Sequence, residues 1–334
     1  MSNIQPGAES ENRTDCRTIT AKEIAKEIRL DIYLCENEAL CSRSQLKTRV
    51  RDITVNGKPV KLGKKIKPGD VIKLVYQEPV PVSLVPEPMD LRIIYEDDDI
   101  IVVNKPCGLV VHPGAGNPTG TLVNGLLAHC GNISENFNST NVQPESALRP
   151  GIVHRLDKDT SGVILAAKHH ASLEYCAAQF RKRRTKKFYL AIVAGKLASR
   201  TGTITTSFAR DRWDRKRFAC ALIDPGRPFH GKIATTRYRV IREWDRGSLV
   251  ALYPQTGRTH QLRVHMKFLD NPVFGDVLYN KKKDYANMGL MLHAYRLRIK
   301  IPGTGKLMLF TAPMPKRFRL LIDILAGKST ASRL

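Results

Sequence analysis

Apolar and polar positions alternate along much of the chain in short runs that predict β-strands, and a few segments have the spacing of an amphipathic helix. Strand-like runs occur at residues 71–76, 163–168, 187–197, 235–240, 248–255, 292–301 and 306–310. Helical spacing occurs at residues 169–183, 259–269 and 316–325. Because strands predominate and do not alternate strictly with helices, the pattern predicts an α+β fold with a largely antiparallel or mixed sheet.

The amino-terminal part of the chain has the features of a small α+β domain. Residues 1–20 are polar, and we expect them to be flexible. Within residues 27–77, Ser42 is a suitable first residue for a basic amphipathic helix, and Asn56-Gly57 is a strong hairpin signal. The basic side chains of this helix include Arg43, Lys47 and Arg49.

A proline-rich segment at residues 78–90 predicts an extended, semi-rigid linker. We therefore place the domain boundary there and assign residues 91–326 to a second, larger domain. Within that domain, residues 130–150 are rich in Asn and Ser and predict a polar surface insertion.

The charge of the chain narrows the classes of partner. Lys and Arg number 55 against 31 Asp and Glu, which gives a formal net charge of +24. A field of this sign attracts polyanions, so nucleic acid is the expected partner. The seven cysteines include no C-x-x-C pair, and the chain has no dinucleotide fingerprint or Gly-x-x-x-x-Gly-Lys loop. We therefore expect no metal and no cofactor. We also expect no membrane span, and we expect the protein to be cytoplasmic.

Reactive groups are densest at residues 151–168, where Asp157 follows His154 and Arg155 and precedes a strand-like run. A carboxylate held at the edge of a sheet by an arginine-rich loop can act as a nucleophile. A lone histidine in a turn is usually a hydrogen-bonding scaffold, so we do not assign His154 as a general base.

Several separated motifs carry a resemblance to a known family. They are NKPCGLVVHPGAGN at 104–117, HRLDKDTSG at 154–162, KFYLAIVAG at 187–195, HGKIATTRYRV at 230–240, QTGRTHQLRVH at 255–265, and GD with LHA at 275–276 and 292–294. Together they resemble the pseudouridine synthases that include ribosomal large subunit pseudouridine synthases A, C and D, and the D type most of all. Residues 27–77 resemble an S4-type RNA-binding module.

The resemblance implies isomerisation of uridine in RNA, with Asp157 as the catalytic aspartate. Carboxylates stabilise or capture a sugar C1′ whose glycosidic bond is breaking, as in glycoside hydrolysis. Addition of Asp157 to the uracil ring is an equally open route. The resemblance further implies that Arg258 pairs with Asp157 and that Tyr189 stacks on the uracil or assists removal of the C5 proton. Arg155 would fill the space left by a flipped base, and Leu262 would pack against that base.

The remaining expectations concern the substrate. The basic run at 181–187, with Arg210 and Arg215, predicts a rim that positions RNA through its phosphates. The D-type motifs imply large-subunit ribosomal RNA or a pre-ribosomal particle as partner, bound by a monomer, with transfer RNA left open. A ribosome assembly factor that binds RNA without catalysis is the main alternative. A metal-dependent RNA hydrolase would need further acidic ligands near Asp157, which the sequence lacks.

Overall fold

The computed structural model describes residues 14–22, 24, 27–36, 38, 46, 49–77, 84–114, 116–131, 150–223, 231–282 and 284–328. The chain divides into two compact units, Met1–Ser83 and Leu84–Leu334. Several predictions lie outside the described residues: the sites Arg43 and Lys47, most of the insertion at 130–150, and the start of the linker at 78–90. Arg49 is helical and half-buried.

The first unit is built around a small antiparallel sheet. Its elements are β1 (Thr14–Thr20), β2 (Ile28–Arg29), α1 (Leu30–Glu36), β3 (Val50–Val55), β4 (Lys58–Pro59), β5 (Lys65–Ile66) and β6 (Val71–Gln77). The main sheet has the order β1-β6-β3-β4. Asn56 and Gly57 both have positive φ, as a tight hairpin between β3 and β4 requires. The predicted hairpin is therefore confirmed, and Leu30, Leu34 and Leu74 fill the core beneath it.

The prediction that residues 1–20 are flexible is wrong for residues 14–20, which form β1. This strand pairs with β6 along its whole length, from Thr14 opposite Gln77 to Thr20 opposite Val71. Polar residues occupy most of its positions, so the sequence shows no apolar alternation. Backbone hydrogen bonds to an available sheet edge stabilise such a strand without a buried apolar face.

The second unit contains one large sheet with helices packed on it. Its strands are β7 (Ile93–Glu96), β8 (Ile100–Lys105), β9 (Ser161–Ala167), β10 (Lys186–Ala194), β11 (Thr201–Arg210), β12 (Phe218–Ala221), β13 (Lys232–Trp244), β14 (Gly247–Pro254), β15 (Leu292–Lys300) and β16 (Leu307–Thr311). Its helices are α2 (Leu122–Cys130), α3 (His170–Arg181), α4 (Gln261–Phe268), α5 (Lys316–Leu325) and the short 3₁₀ helix Ala286–Met288.

The strand order is β12-β11-β13-β14-β10-β15-β9-β8-β7, and β16 pairs with β15 at the side of this path. The pairing is antiparallel except between β9 and β15, which are parallel at Ser161 and Gly162. The predicted mixed sheet is therefore confirmed. At this pair Gly162 has φ +114, and a Cβ there would overlap the carbonyl oxygen of Ala294. Only glycine fits this close approach.

Both faces of the sheet are covered around β8 and β9, the strands next to the Asp157 loop. Ile101 and Ile164 pack in the cluster that includes α2, whereas Val102 and Leu165 pack in the cluster that includes Cys176 of α3. Every residue of β9 is buried. A strand covered on both sides is a rigid support for the loop that precedes it. In the part of the chain that is described, no helix has the length and apolar character needed to cross a membrane.

Candidate active site

Asp157 lies in the loop that leads into β9, at the wall of a large cleft. The cleft has a volume of about 1130 Å³ and also contains Tyr189, Arg258 and Leu262. The Asp157 side chain is 18% exposed. The carboxylate is thus largely withdrawn from water but still reachable from the cleft, as a nucleophile must be.

Lys105, the last residue of β8, fixes the loop that carries Asp157. Its ammonium is fully buried and donates hydrogen bonds to the carbonyl oxygens of Pro106, Leu109 and Lys158, at 2.9, 2.8 and 2.8 Å. Burial lowers the pKa of Lys105 to about 8. The three bonds use all its donors and tie the residue after Asp157 to the loop after β8.

The cation that reaches Asp157 is Arg263, and the predicted pairing with Arg258 is wrong. Arg263 Nη1 lies 3.5 Å from Asp157 Oδ2, while its Nε and Nη2 donate to the two oxygens of Asp276 at 2.7 and 2.8 Å. The guanidinium is 5% exposed. It is therefore held in one orientation by a bidentate carboxylate and presents its remaining edge to Asp157.

The start of α4 explains why the second arginine of the motif reaches Asp157. Helix α4 begins at Gln261, so Arg263 falls in its first turn. Arg258 precedes the helix, and the Gln261 side chain accepts a hydrogen bond from its backbone N–H at 2.9 Å. The Arg258 guanidinium lines the cleft and lies 3.4 Å from the carbonyl oxygen of Ile233.

His260 is a second neighbour of Asp157 that the sequence did not indicate. Its Nε2 lies 3.9 Å from Asp157 Oδ2, and its Nδ1 lies 2.9 Å from the hydroxyl of Tyr279. Burial lowers the pKa of His260, although the charge of Asp157 acts in the opposite direction. The imidazole is therefore neutral near pH 7, and Arg263 supplies the positive charge beside the carboxylate.

Tyr189 lies in β10, where it pairs with Leu252 of β14 and Ala294 of β15. Burial raises the pKa of Tyr189, and the nearby charge of Asp157 raises it further. The phenol is therefore neutral at physiological pH. The ring lines the cleft, and both roles expected for it, stacking on the uracil and assistance in removal of the C5 proton, stay predictions.

Of the other residues singled out from the sequence, Arg155 and Leu262 line the cleft, whereas His154 supports the fold. Arg155 is exposed and lines the cleft, and Leu262 lines it while only 7% exposed. His154 Nε2 accepts a hydrogen bond from Leu165 N at 3.0 Å, and its ring stacks on Phe180. Burial lowers the pKa of His154 to about 3. The expected scaffold role of this histidine is confirmed.

Basic residues surround the cleft, but two of the predicted ones lie on a separate hairpin. The run at 181–187 contributes cations to the cleft wall: Arg181, Arg183, Lys186 and Lys187. Arg210 and Arg215 are not among the lining residues. Arg210 instead donates to the carbonyl oxygen of Arg215 at 2.7 Å, within the hairpin of β11 and β12.

The geometry can now be compared with known proteins. A family model described as RNA pseudouridylate synthase matches residues 99–268, which include Asp157, Tyr189 and Arg263. The chain belongs to the RNA pseudouridylate synthase family. It is thus an RNA-modifying isomerase that converts uridine to pseudouridine.

Relatives of this family match nearly the whole chain. One is an uncharacterized RNA pseudouridine synthase, YlyB, from Bacillus subtilis, 41% identical over 307 residues, which cover 91% of this chain and 96% of the relative. Another is ribosomal large subunit pseudouridine synthase D from Borreliella burgdorferi, 41% identical over 314 residues and 92% of each chain. Among solved structures, human RNA pseudouridylate synthase domain containing 1 matches with a TM-score of 0.53 and 26% identity, covering 75% of this chain and 89% of that chain.

This pseudouridine synthase has a further cluster of polar side chains, which lies outside the cleft. Ligand atoms of Glu96, His129 and Cys130 lie within 4.8 Å of one another. The two oxygens of Glu96 already bind Lys168 and His129, each at 2.9 Å. None of these residues lines the cleft, and the group enters no step of the reaction considered below.

Proposed function

We propose that the protein isomerises uridines of large-subunit ribosomal RNA and that Asp157 is its nucleophile. One observation carries this proposal: the partly buried carboxylate of Asp157 lies 3.5 Å from Arg263 in a cleft that also contains Tyr189. The substrate is suggested by relatives named ribosomal large subunit pseudouridine synthase D, from Borreliella burgdorferi and Neisseria meningitidis.

In the first route, an oxygen of Asp157 bonds to C1′ of the ribose as the C1′–N1 bond breaks and its electron pair passes to the uracil. The uracil then turns, and C5 forms a bond to C1′ while the carboxylate leaves. Loss of the C5 proton and gain of a proton at N1 complete the isomerisation. In the second route an oxygen of Asp157 adds to C6 of the uracil, and the electron pair of the C5–C6 double bond passes to the C4 carbonyl. The C1′–N1 bond then breaks, the ring turns, and C5 bonds to C1′; elimination of the carboxylate, loss of the C5 proton and gain of a proton at N1 give the same product. Both routes need an ionised, oriented carboxylate beside the ribose and base.

The surroundings of Asp157 supply that orientation. Asp276 holds Arg263 by two hydrogen bonds, so the guanidinium keeps its position while the charge on Asp157 changes during the reaction. The Lys105 ammonium holds the loop itself by a hydrogen bond to the carbonyl oxygen of Lys158. A nucleophile placed in this way loses little entropy when the substrate arrives.

The base has to leave its helical stack before Asp157 can reach it. In this proposal, Tyr189 stacks on the extruded uracil, Leu262 packs against it, and Arg155 fills the vacated space. Cations of the run at 181–187 contact phosphates on either side of the target nucleotide. Such contacts position the RNA without reading its sequence.

The first unit acts, in this proposal, as an S4-like RNA-binding domain at residues 27–77, followed by a linker at 78–90 and the catalytic domain at 91–326. Its hairpin at Asn56-Gly57 and its many Lys and Arg residues support that role. We further propose a cytoplasmic monomer that binds ribosomal RNA or a pre-ribosomal particle.

Mapping of pseudouridines tests the reaction and the substrate together. The chromosomal gene is deleted, and the cells are complemented with either the wild-type gene or the Asp157→Ala variant. Total RNA from the two strains is then compared. We expect specific pseudouridines in large-subunit ribosomal RNA with wild type and their absence with Asp157→Ala. Sites that appear only in transfer RNA would overturn the substrate, and identical maps would support an assembly factor without catalysis.

A further inference from the structure

The turn between β11 and β12 presents a tryptophan to solvent. Trp213 is 95% exposed, whereas the other tryptophan of the chain, Trp244, is 9% exposed. A single exposed apolar side chain is common on protein surfaces, so the groups around Trp213 decide what this ring can bind. The catalytic steps described above do not use this side chain.

Hydrogen bonds fix the backbone of this turn. Asp211 Oδ1 accepts from the backbone N–H groups of Trp213 and Asp214, at 2.8 and 3.0 Å. The N–H of Asp211 in turn donates to the carbonyl oxygen of Arg217 at 3.0 Å and closes the turn. The indole is thus displayed on a pre-organised support, so a ligand that binds it pays little to order the backbone.

The charges of the turn favour an anionic ligand. Its basic residues outnumber its acidic ones, with Arg210, Arg212, Arg215, Lys216 and Arg217 against Asp211 and Asp214. Both carboxylates are engaged by groups of the turn itself, Asp214 through Arg217 Nε at 3.1 Å and Lys216 N at 2.9 Å. Arg212 and Lys216 are exposed in the same turn. An aromatic face next to free cations is the combination that binds single-stranded nucleic acid.

A groove connects the base of this hairpin with the catalytic cleft. Arg210, Phe218 and Lys232 line a shallow depression of about 460 Å³ that also includes residues 257–259. Residues 257–259 line the catalytic cleft as well. A strand of RNA that leaves the cleft past Arg258 therefore meets the cations of the groove next.

The hairpin is also anchored to the wall of the catalytic cleft. Phe218 N donates to the Tyr279 hydroxyl at 2.9 Å, and the same hydroxyl lies 2.9 Å from His260 Nδ1. His260 Nε2 lies 3.9 Å from Asp157 Oδ2. A fixed chain of contacts thus connects the turn that carries Trp213 with the catalytic carboxylate.

We propose that Trp213 is a stacking platform for an unpaired nucleotide of the RNA substrate that lies outside the cleft and flanks the target uridine. The inference rests on the RNA substrate of the proposed function and adds a binding subsite to it. Stacking on an indole tolerates any base, so the subsite selects for an unpaired nucleotide rather than for a sequence. The enzyme would thereby prefer a target uridine next to single-stranded RNA.

Fluorescence of Trp213 tests the contact without any need for turnover. In a Trp244→Phe, Asp157→Asn protein, Trp213 is the only tryptophan and no reaction takes place. We expect saturable quenching by a single-stranded oligouridylate of about 12 nucleotides and little quenching by an RNA duplex of equal length. Unchanged emission with the single strand, or equal quenching by the duplex, would overturn the proposal.

Kinetics on a transcript of large-subunit ribosomal RNA then separates binding from chemistry. Trp213→Ala should raise KM by roughly 5- to 100-fold, the range for loss of one base–aromatic stack, and leave kcat nearly unchanged. Trp213→Phe should restore most of the affinity, and Leu309→Ala, which removes another exposed apolar side chain, should match wild type. A KM unchanged in Trp213→Ala, or a loss confined to kcat, would refute the platform even if the isomerase activity itself is intact.

Discussion

At the residue scale, the reactivity of the cleft depends on which charges surround one carboxylate. Asp157 has Arg263 at 3.5 Å and a His260 ring at 3.9 Å that burial keeps neutral near pH 7. Arg263 is in turn fixed by Asp276. The negative charge is therefore balanced by one oriented guanidinium rather than by a flexible side chain.

This arrangement predicts different effects for the two arginines of the same motif. Arg263→Lys should lower kcat by about 100-fold or more, because an ammonium cannot hold Asp276 and face Asp157 at the same time. Arg258→Lys, the matched control, should keep kcat within about threefold and mainly raise KM. Pseudouridine formation at saturating RNA measures both variants. A loss of kcat well above threefold in Arg258→Lys would support the pairing of Arg258 with Asp157, which the structure contradicts.

Sequence reasoning could identify Asp157 because its motif is dense in reactive groups, and Tyr189 and Leu262 because theirs match a known family. It could not choose between two arginines five residues apart. That choice depends on where α4 begins, since the first turn of the helix turns Arg263 toward the cleft. His260 was equally hidden, because its left-handed backbone at φ 58 is visible only in the structure.

At the element scale, the loop that carries Asp157 is held by the strands that flank it. Strand β9 is buried on both faces, and Lys105 at the end of β8 bonds to the backbone of the loop. Directly after this loop, Ser161 and Gly162 pair with β15, and a Cβ at Gly162 would overlap the backbone of that strand. A rigid element on each side therefore sets the position of Asp157.

Removal of the Lys105 ammonium should loosen this loop. Lys105→Met removes the ammonium donor from three carbonyl oxygens, of which that of Lys158 keeps the Gly108 N–H at 3.0 Å. We expect a fall of kcat by at least about tenfold and a loss of roughly 1–3 kcal/mol in the free energy of unfolding. Lys158→Met is the matched control, because its exposed side chain makes none of these bonds. Urea unfolding and single-turnover kinetics measure the two effects. Equal behaviour of the two variants would show that Lys105 does not position the loop.

The helices at 170–181 and 316–325 and most of the strands were predictable from periodicity. Strand β11 was not, because its buried positions include the polar residues Thr206 and Ser207. Thr206 Oγ1 lies 3.1 Å from the buried His265 ring, so a hydrogen bond takes the place of the apolar contact that pattern reading seeks. Strand β1 was missed because it is held by backbone pairing with β6 and by polar side-chain contacts such as the Tyr76 hydroxyl to Asp15 at 2.9 Å.

At the scale of the whole molecule, the mixed sheet and the positive charge were predictable, whereas the extent of the first unit was not. The count of Lys and Arg predicted a nucleic-acid partner without any structure. The strand at residues 14–20 extends the ordered part of the chain toward the amino terminus. Long-range pairing with β6 decides this, and no local signal reports it.

Buried histidines should make the folded protein sensitive to acid. Burial lowers the pKa of His265 and of His293 from the ordinary 6.5 to about 4, and both rings are fully buried. Between pH 6.5 and 4 the unfolded chain binds protons that the folded chain does not, so stability falls as the pH falls. Each group contributes a slope of about 1.4 kcal/mol per pH unit.

Urea unfolding followed by Trp244 emission measures this slope. His265→Gln should lower the slope below pH 6 by about 1.4 kcal/mol per pH unit and leave it unchanged above pH 7. A variant with the same slope as wild type would show that His265 is not a buried neutral group.

The most direct test of the account is release of tritium from a large-subunit ribosomal RNA transcript that carries [5-³H]uridine, because only formation of the C5–C1′ bond expels that hydrogen. We expect release by wild type and by the control Asp159→Asn. Asp157→Asn should bind the same RNA with similar affinity and release tritium more slowly by about 1000-fold or more. Release by Asp157→Asn at a rate near that of wild type would contradict the central role of this carboxylate.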